Sequence, residues 1–212
     1  MLVYDLGHWV AFLGAALLLN LSPGPDIAFI LQKTMSDGRR GGFVAMGGIW
    51  CGTAAHVAMA TLGLSSILAT SATAFTLITW AGAAYLIWIG IKSFRAGNLA
   101  TLTQDHGQTR GSARSTFAQG VAVAALNPKV AVFFLAFLPQ FVVDGAGPAW
   151  LQLATHGLML IAVAGVVEPP IILLGSRLRS HIANHPKWLA LLDRALGGVL
   201  IALGIRLLLP LR

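Results

Sequence analysis

The sequence is poor in charged residues: only 10% of its 212 positions are Asp, Glu, Lys or Arg, while 57% are hydrophobic. A soluble domain of ordinary composition carries about 25% charged residues. Charges this sparse cannot cover a water-exposed surface, which excludes a water-soluble enzyme or binding domain. The chain is therefore predicted to be an all-α integral membrane protein.

Three further absences narrow the function. A single cysteine, Cys51, excludes both a disulfide framework and a metal site built on several cysteines. The start MLVYDLGHWV contains no Lys or Arg, so it lacks the basic region of a cleavable signal peptide and is expected to be retained. No GxxxxGK[ST] motif occurs, which argues against ATP hydrolysis within the chain.

The hydrophobic residues are arranged in long runs, and a helix needs about 20 apolar residues to cross a bilayer. Six segments qualify: approximately 6–35 (interrupted), 43–63, 67–91, 117–138, 150–174 and 188–209. Together they make residues 1–212 a single transmembrane domain with no separate soluble part. A five-span form, in which the interrupted first segment does not cross, remains an alternative.

The basic residues lie on alternate connections between these segments. They follow the first, third and fifth segments, as Lys33, Arg39 and Arg40, then Lys92, Arg95, Arg110 and Arg114, then Arg177, Arg179 and Lys187. Connections rich in Lys and Arg stay in the cytoplasm. Both termini are therefore predicted to lie outside, with a long basic cytoplasmic loop at about 92–116. In a membrane protein this explains the net charge of +7 without a nucleic-acid partner.

The two halves of the sequence resemble each other. AGAAYLIWIGIKSF (81–94) aligns with ALGGVLIALGIRLL (195–208), and PDIAFIL (25–31) aligns with PKVAVFF (128–134). Three spans per half is an odd number, so the second repeat (about 117–212) would be inverted relative to the first (about 6–92). Inverted repeats that meet near mid-membrane are typical of transporters.

Helices one and four are predicted to be interrupted at proline motifs. In SPGPD, Pro23, Gly24 and Pro25 should end one half-helix and begin another, with Asp26 in the new first turn. In LNPK, Asn127 can cap a helix that Pro128 begins. Such breaks are tolerated at membrane depth only where they are buried in protein or line a polar cavity.

The two breaks together would suit a zwitterion such as an amino acid. The substrate carboxylate could meet Lys129 and the N–H groups of a half-helix start, and its ammonium could meet Asp26 and helix-end carbonyls. The predicted substrate-binding residues are Asp26, Lys129, Asn127, Pro25, Gly24 and Asn20. The structural alternative is that Asp26 and Lys129 only neutralise each other as an ion pair.

Asp26, Glu168 and His56 are the candidate groups for proton coupling. Glu168 and His56 lie in apolar segments and occupy matching positions when Gly63 is aligned with Gly175. A carboxylate and an imidazole inside the membrane can form a proton relay. A lone histidine such as His56 is as readily explained as a hydrogen-bonded packing residue.

Several motifs resemble the LysE/RhtB family of amino-acid exporters. They are SPGPD, the GxxxGxxxH of Gly48, Gly52 and His56, GAAYLIWIGIKSFR, and ALNPKVAVFFLAFLPQF with Pro139 and Gln140. The resemblance runs from about residue 14 to the C-terminus. It implies a six-span bacterial inner-membrane carrier that expels amino acids or related molecules, driven by the proton gradient and needing no cofactor or metal. Phe29, Phe133 and Phe134 beside the breaks favour an uncharged substrate.

Other functions remain open at this point. A heavy-metal or other cation exporter of the same architecture would need more carboxylates, histidines or thiolates at mid-membrane. An intramembrane enzyme would need a nucleophile with its base, which no motif supplies. A channel would need a ring of like groups. The expected partners are an amino-acid substrate, protons and the lipid bilayer, and a homodimer is possible.

Overall fold

The computed structural model describes residues 4–21, 24–95 and 112–184, and the separate positions 194, 197, 198, 201, 202, 204–206 and 208. Every element in these ranges is helical, and no strand occurs among them. Ser22 and Pro23 of the first break, most of the polar loop and most of the sixth predicted segment lie outside the described residues. The all-helical fold class is confirmed for the part of the chain that is described.

Seven α-helices are described: α1 (Leu6–Leu21), α2 (Pro25–Met59), α3 (Ser65–Thr70), α4 (Ala72–Arg95), α5 (Ala113–Ala125), α6 (Pro128–Val132) and α7 (Ala149–Asn184). A π-helical turn (Ala60–Leu64) joins α2 to α3, and a π-helical turn (Phe133–Phe137) and a 3-10 turn (Leu138–Phe141) follow α6. Helices α1 and α4 are apolar, as are the longer candidate spans Pro25–Gly63 and Ala149–Gly175. By length and composition the pair Ala113–Ala125 and Pro128–Phe141 forms a third candidate span, bent by 46°.

Helix α2 is not a straight rod, because Gly38 in its middle has φ 74° and ψ −173°. These angles lie outside the helical region and are readily adopted only by glycine. A Cβ atom added at Gly42 would collide with the Thr34 hydroxyl. Thr34 lies eight residues earlier, about 12 Å away along a straight helix. The chain therefore reverses at Gly38, and residues 25–37 and 39–59 form the two arms of a helical hairpin.

This hairpin changes the predicted boundary between the first two spans. The predicted ends left residues 36–42 as a connection, whereas Gly38 is the only non-helical residue within α2. Lys33, which was counted with that connection, is instead buried within the first arm, and its ammonium lies 5.7 Å from the centroid of the Phe29 ring. Arg39 and Arg40 are exposed at the turn, as predicted.

The second arm of α2 packs directly against α5. A Cβ atom added at Gly48 would collide with the Phe117 carbonyl oxygen, and one added at Gly120 would lie 2.7 Å from the Ala45 carbonyl oxygen. One turn further along both helices, a Cβ atom at Gly52 would lie 2.6 Å from the Val121 carbonyl oxygen. Both helices advance in the same direction through these contacts. The arm and α5 are therefore parallel, with their backbones in contact, as the GxxxG pattern predicts.

Helix α4 packs against the described part of the sixth segment in a reciprocal way. A Cβ atom at Gly90 would lie 2.7 Å from the Gly197 carbonyl oxygen, and one at Gly204 would lie 2.8 Å from the Ala83 carbonyl oxygen. In the alignment of the two segments, Ala83 matches Gly197 and Gly90 matches Gly204. The same contact thus occurs twice with the partners exchanged. This is the pattern that a two-fold axis produces where two antiparallel helices cross.

Helices α1 and α7 run side by side and are joined at the predicted outer end. The His156 Nδ1 donates to the Gln152 carbonyl at 2.8 Å, so its Nε2 accepts the Nε2–H of His8 at 2.7 Å. The buried Gln152 amide accepts from the Tyr4 hydroxyl at 3.0 Å and bonds both backbone groups of Val143. These hydrogen bonds hold Tyr4, His8 and the loop residue Val143 against the first turns of α7.

Glycine at position 48 is expected to be necessary for the contact between the second arm and α5. A Gly48→Ala change should lower the free energy of unfolding by about 1–3 kcal/mol, because overpacking forces the two backbones apart. Thermal unfolding of the purified protein in detergent measures this effect. The matched control is Gly47→Ala, whose added Cβ atom would lie 3.8 Å from the Phe117 ring, an ordinary contact. Equal stability of the two variants would contradict the inferred packing.

Candidate functional site

The first helix break lies between α1 and α2. Gly24 is extended, with φ −154° and ψ −177°, and Pro25 occupies the first turn of α2. Asp26 follows in that same turn, as predicted, where the partial positive charge of a helix start favours a carboxylate. Among the described residues, no side chain caps this helix start. Within those residues, the first N–H groups of α2 are therefore left for another acceptor.

The second break lies between α5 and α6 and uses a different cap. The Asn127 side chain accepts from the Lys129 backbone N–H at 3.0 Å, and Pro128 begins the helix. Both features follow from the LNPK sequence, as predicted. The proline has no N–H to satisfy, and the asparagine satisfies one of the N–H groups that remain.

One hydrogen bond joins the two breaks directly. The Asn127 amide donates to the Asp26 Oδ2 at 2.8 Å. Asn127 therefore caps α6 with its oxygen and holds the carboxylate at the start of α2 with its nitrogen. The other oxygen, Asp26 Oδ1, is buried and has no hydrogen-bond partner within the described residues. A buried carboxylate oxygen without a hydrogen-bond partner carries a large desolvation cost.

The buried Lys129 side chain reaches across to α1. Its ammonium donates to the Leu19 carbonyl at 3.3 Å, near the end of α1. Carbonyls at a helix end carry a partial negative charge that favours a cation. The ammonium also interacts electrostatically with the carboxylates of Asp26 and Glu168.

Glu168 lies on α7 and is buried beside the same groups. Its Oε2 accepts the indole N–H of Trp50, on the second arm of α2, at 2.8 Å. This bond fixes the carboxylate across the interface between α2 and α7. Two carboxylates and one ammonium are thus collected where α1, α2, α6 and α7 meet.

A cavity of about 30 Å³ lies at this meeting point. Polar and apolar side chains share its wall, and they are Leu19, Asn20, Asp26, Ile27, Ile49, Trp50, Thr53, Lys129, Val130, Leu160, Ile161, Ala164 and Glu168. This volume suits one or two water molecules and is far below the roughly 300–1,000 Å³ of small-molecule pockets. A substrate would therefore have to separate these helices in order to bind.

Four of the eight predicted site residues line this cavity: Asn20, Asp26, Lys129 and Glu168. Asn127 lies behind Asp26 and supports it, whereas Gly24 and Pro25 shape the break without lining the cavity. His56 is also outside the lining. Its Nε2 donates to the Ala124 carbonyl at 3.2 Å, and its ring stacks on Phe134.

The aromatic residues predicted to favour an uncharged substrate do not line the cavity. Phe29 is buried in one hydrophobic cluster with Ile30, and Phe133 and Phe134 are buried in another. The apolar wall comes instead from aliphatic side chains such as Ile27 and Ile49, among others. The preference for an uncharged substrate therefore stays a prediction, and these three residues are not the ones that would contact the substrate in this cavity.

Sequence reasoning missed Trp50 and Thr53. Both lie in an apolar run, where a tryptophan is usually read as a lipid-facing or packing residue. Their spacing with Ile49 was the available signal, because positions 49, 50 and 53 share one helix face. Within the described residues, no group of three or more His, Cys, Asp or Glu side chains is placed to hold a metal ion.

Most of the chain is similar to known membrane proteins of one family. The model of the LysE type translocator family matches residues 17–210. A homoserine/homoserine lactone efflux protein of Salmonella typhi is 34% identical over 203 residues, covering 92% of this chain and 93% of that protein. A leucine efflux protein of Klebsiella pneumoniae is 27% identical and covers 94% of both chains. An uncharacterized membrane protein of Vibrio cholerae is 30% identical, covering 96% and 97%. No solved structure matches the chain.

The double role of Asn127 predicts a large loss of stability on Asn127→Ala. The variant loses a helix cap, worth about 0.5–2 kcal/mol, and a hydrogen bond to a charged group, worth about 1.5–3 kcal/mol. The matched control is Ser112→Ala, because Ser112 caps α5 through one bond to Ser115 and is exposed. Thermal unfolding in detergent should show the Asn127 variant to be clearly less stable. Equal losses would mean that the bond to Asp26 contributes nothing.

Proposed function

Because the chain belongs to the LysE type translocator family, we propose that it exports small amino acids or related zwitterions across the bacterial inner membrane. Two of the relatives are named as efflux proteins, one for homoserine and its lactone and one for leucine. The observation that carries the proposal is the buried Asp26 Oδ1, which has no hydrogen-bond partner in the described ranges and belongs to a residue that lines the same cavity as Lys129.

A zwitterion would satisfy both kinds of charge at the two breaks. The substrate ammonium binds Asp26 Oδ1, which has a carboxylate's full capacity to accept a hydrogen bond. The substrate carboxylate binds the Lys129 ammonium and the uncapped start of α2. The aliphatic wall around Ile27 and Ile49 then receives an uncharged side chain. Homoserine and leucine both have this pattern of charge.

Proton coupling follows from the cost of an unpaired charge. A charged side chain at mid-bilayer costs at least about 2.5–3.5 kcal/mol on insertion scales. When the substrate ammonium leaves Asp26, the carboxylate must take up a proton or rely on Lys129. Glu168 offers a second proton-accepting position beside the same ammonium. His56, which interacts electrostatically with Asp26, acts on this exchange without touching the substrate.

Alternating access would move one repeat against the other around this cavity. Three features support an arrangement of two inverted three-helix repeats. The third and sixth segments make reciprocal glycine contacts, α1 runs parallel to α7, and α5 runs parallel to the second arm of α2. The last two pairs exchange under the same two-fold operation. The hairpin at Gly38 supports six spans by making residues 25–37 and 39–59 antiparallel.

Replacement of Asp26 tests the substrate site. Inside-out membrane vesicles expose the cytoplasmic face, so export is measured as uptake of labelled leucine or homoserine from the medium. Asp26→Asn should reduce the rate at least about tenfold, since a charge-assisted hydrogen bond worth 1.5–3 kcal/mol is lost. Asp5→Asn, an exposed site near the chain start, is the matched control. Normal transport by Asp26→Asn, or flux of a metal ion instead of amino acids, would reject the proposal.

Replacement of Glu168 tests proton coupling separately. Glu168→Gln keeps an acceptor for Trp50 but cannot carry a proton. Uptake driven by an imposed pH step should fall strongly, while exchange of labelled for unlabelled amino acid at equal pH should persist. Trp50→Phe removes the hydrogen bond and leaves the carboxylate, so it should retain the response to the pH step. If Glu168→Gln responded to the pH step like the unmodified protein, Glu168 would not be the coupling group.

A further inference from the structure

A second and larger cavity lies at the end of the helices that carries the basic residues. Its volume is about 290 Å³, and its lining is Asp37, Arg40, Gly41, Val44, Ala113 and Thr116. The first four belong to the hairpin turn of α2, and the last two to the first turns of α5. The distribution of Lys and Arg places this end in the cytoplasm. The volume approaches the lower limit of small-molecule pockets, about 300 Å³.

The Asp37 carboxylate supplies the negative side of this inner cavity. Both of its oxygens are buried, and neither has a hydrogen-bond partner in the part of the chain that the structure describes. A Cβ atom at Gly41 would collide with the Asp37 side chain, so the glycine makes room for it. A buried carboxylate with two unsatisfied oxygens is costly unless a cation completes it.

Arg40 and the start of α5 supply the positive side. The Arg40 side chain is exposed beside Asp37, and a guanidinium matches the geometry of a carboxylate. Ser112 caps α5 by accepting from Ser115, while Ala113 and Thr116 place the first turn of the helix on the cavity wall. The start of a helix attracts an anion through its N–H groups and its dipole.

The inner cavity thus has the same kinds of groups as the central cavity, which is the one lined by Asp26, Lys129 and Glu168. Each combines a carboxylate that has an unsatisfied buried oxygen, a basic side chain and the start of a helix. Two helical segments connect them. The first arm of α2 runs from Asp26 to Asp37, about 16 Å, and α5 runs from the inner cavity to the second break, about 20 Å. The central cavity measures only about 30 Å³, so the inner one is the larger of the two.

We propose that the inner cavity is a loading site, at which a zwitterionic amino acid binds from the cytoplasm before it reaches the central cavity. Asp37 binds the ammonium, and Arg40 with the start of α5 binds the carboxylate. This assignment rests on the proposed export function for its direction of travel. Recognition of the zwitterion itself depends only on the inner cavity.

Transport kinetics test the loading role. In inside-out vesicles, Asp37→Asn and Arg40→Gln should each raise the half-saturating concentration of labelled leucine or homoserine about tenfold, the effect of one charge-assisted hydrogen bond. The maximal rate should be unchanged. Arg39→Gln is the matched control, since it removes the same charge from the neighbouring residue, which bonds the Leu173 carbonyl and does not line the cavity. Arg40→Lys should recover part of the loss.

Two outcomes of this experiment overturn the proposal. One is an unchanged half-saturating concentration in both cavity variants, and the other is an equal change in Arg39→Gln. Thermal unfolding in detergent shows which variants are folded. If Asp37→Asn does not fold, the half-saturating concentrations of Arg40→Gln and Arg39→Gln alone decide whether the loading site exists.

Direct binding separates this site from the central one. Purified Asp26→Asn protein should still bind labelled leucine or homoserine, and an added Arg40→Gln change should weaken that binding about tenfold or more. Leucinamide, which lacks the carboxylate, and 4-methylpentanoate, which lacks the ammonium, should each bind about tenfold more weakly or worse. Loss of all binding in the Asp26→Asn protein, or leucinamide binding as tight as that of leucine, rejects a zwitterion site.

The two proposals fail in distinguishable ways. If Asp26→Asn stops transport while the inner variants leave the kinetics unchanged, the export function stands and the loading site falls. If the unmodified protein moves no amino acid but the Asp26→Asn protein still binds leucine through Arg40, the inner site stands and the export function falls.

Discussion

Backbone groups inside a bilayer have no water to satisfy them, and the two interrupted helices meet this constraint in part by facing each other. The end of α1 accepts from Lys129, while Asn127 at the start of α6 holds Asp26 at the start of α2. Each break therefore receives a hydrogen bond from a side chain at the other: the Leu19 carbonyl from Lys129, and the Asp26 carboxylate from Asn127. The cavity, its unlike charges and the closeness of the four surrounding helices all depend on this mutual arrangement.

Small residues set the distances on which the arrangement relies. Gly48 and Gly120 bring two parallel helices into backbone contact, and Gly90 and Gly204 do the same for two antiparallel ones. Association of helices in lipid depends on such packing, because burial of apolar surface gives little advantage there. Close packing around the cavity also keeps it too small for an amino acid. Binding of an amino acid in this cavity, as proposed, would therefore require a movement of the helices.

The parts of the structure that the sequence predicted well are those controlled by local rules. Proline and asparagine have strong positional preferences, so the breaks before Pro25 and Pro128 and the cap at Asn127 could be read directly. Grouping Asp26 with Lys129 followed from the repeat. Trp50 was missed because the sequence of an apolar run does not indicate which residue its indole N–H will bond. Its bond to Glu168 depends on how two distant segments pack, which no local pattern records.

The hairpin at Gly38 was the hardest feature to anticipate. SDGRRGG predicts a connection between the first two spans, but only the positive φ of Gly38 and the closeness of Gly42 to Thr34 show that a single residue makes the turn. The burial of Lys33 follows from the same turn, because the helix continues past it nearly to the glycine.

Because Gly38 alone connects the two arms of α2, the arms cannot move apart at the turn. During membrane insertion, the first arm therefore cannot cross the bilayer while the second arm remains at the membrane surface. The two must leave the insertion machinery as a pair. Asp26 and Trp50, which lie on different arms, therefore enter the lipid within the same hairpin, before the second half of the protein has been made.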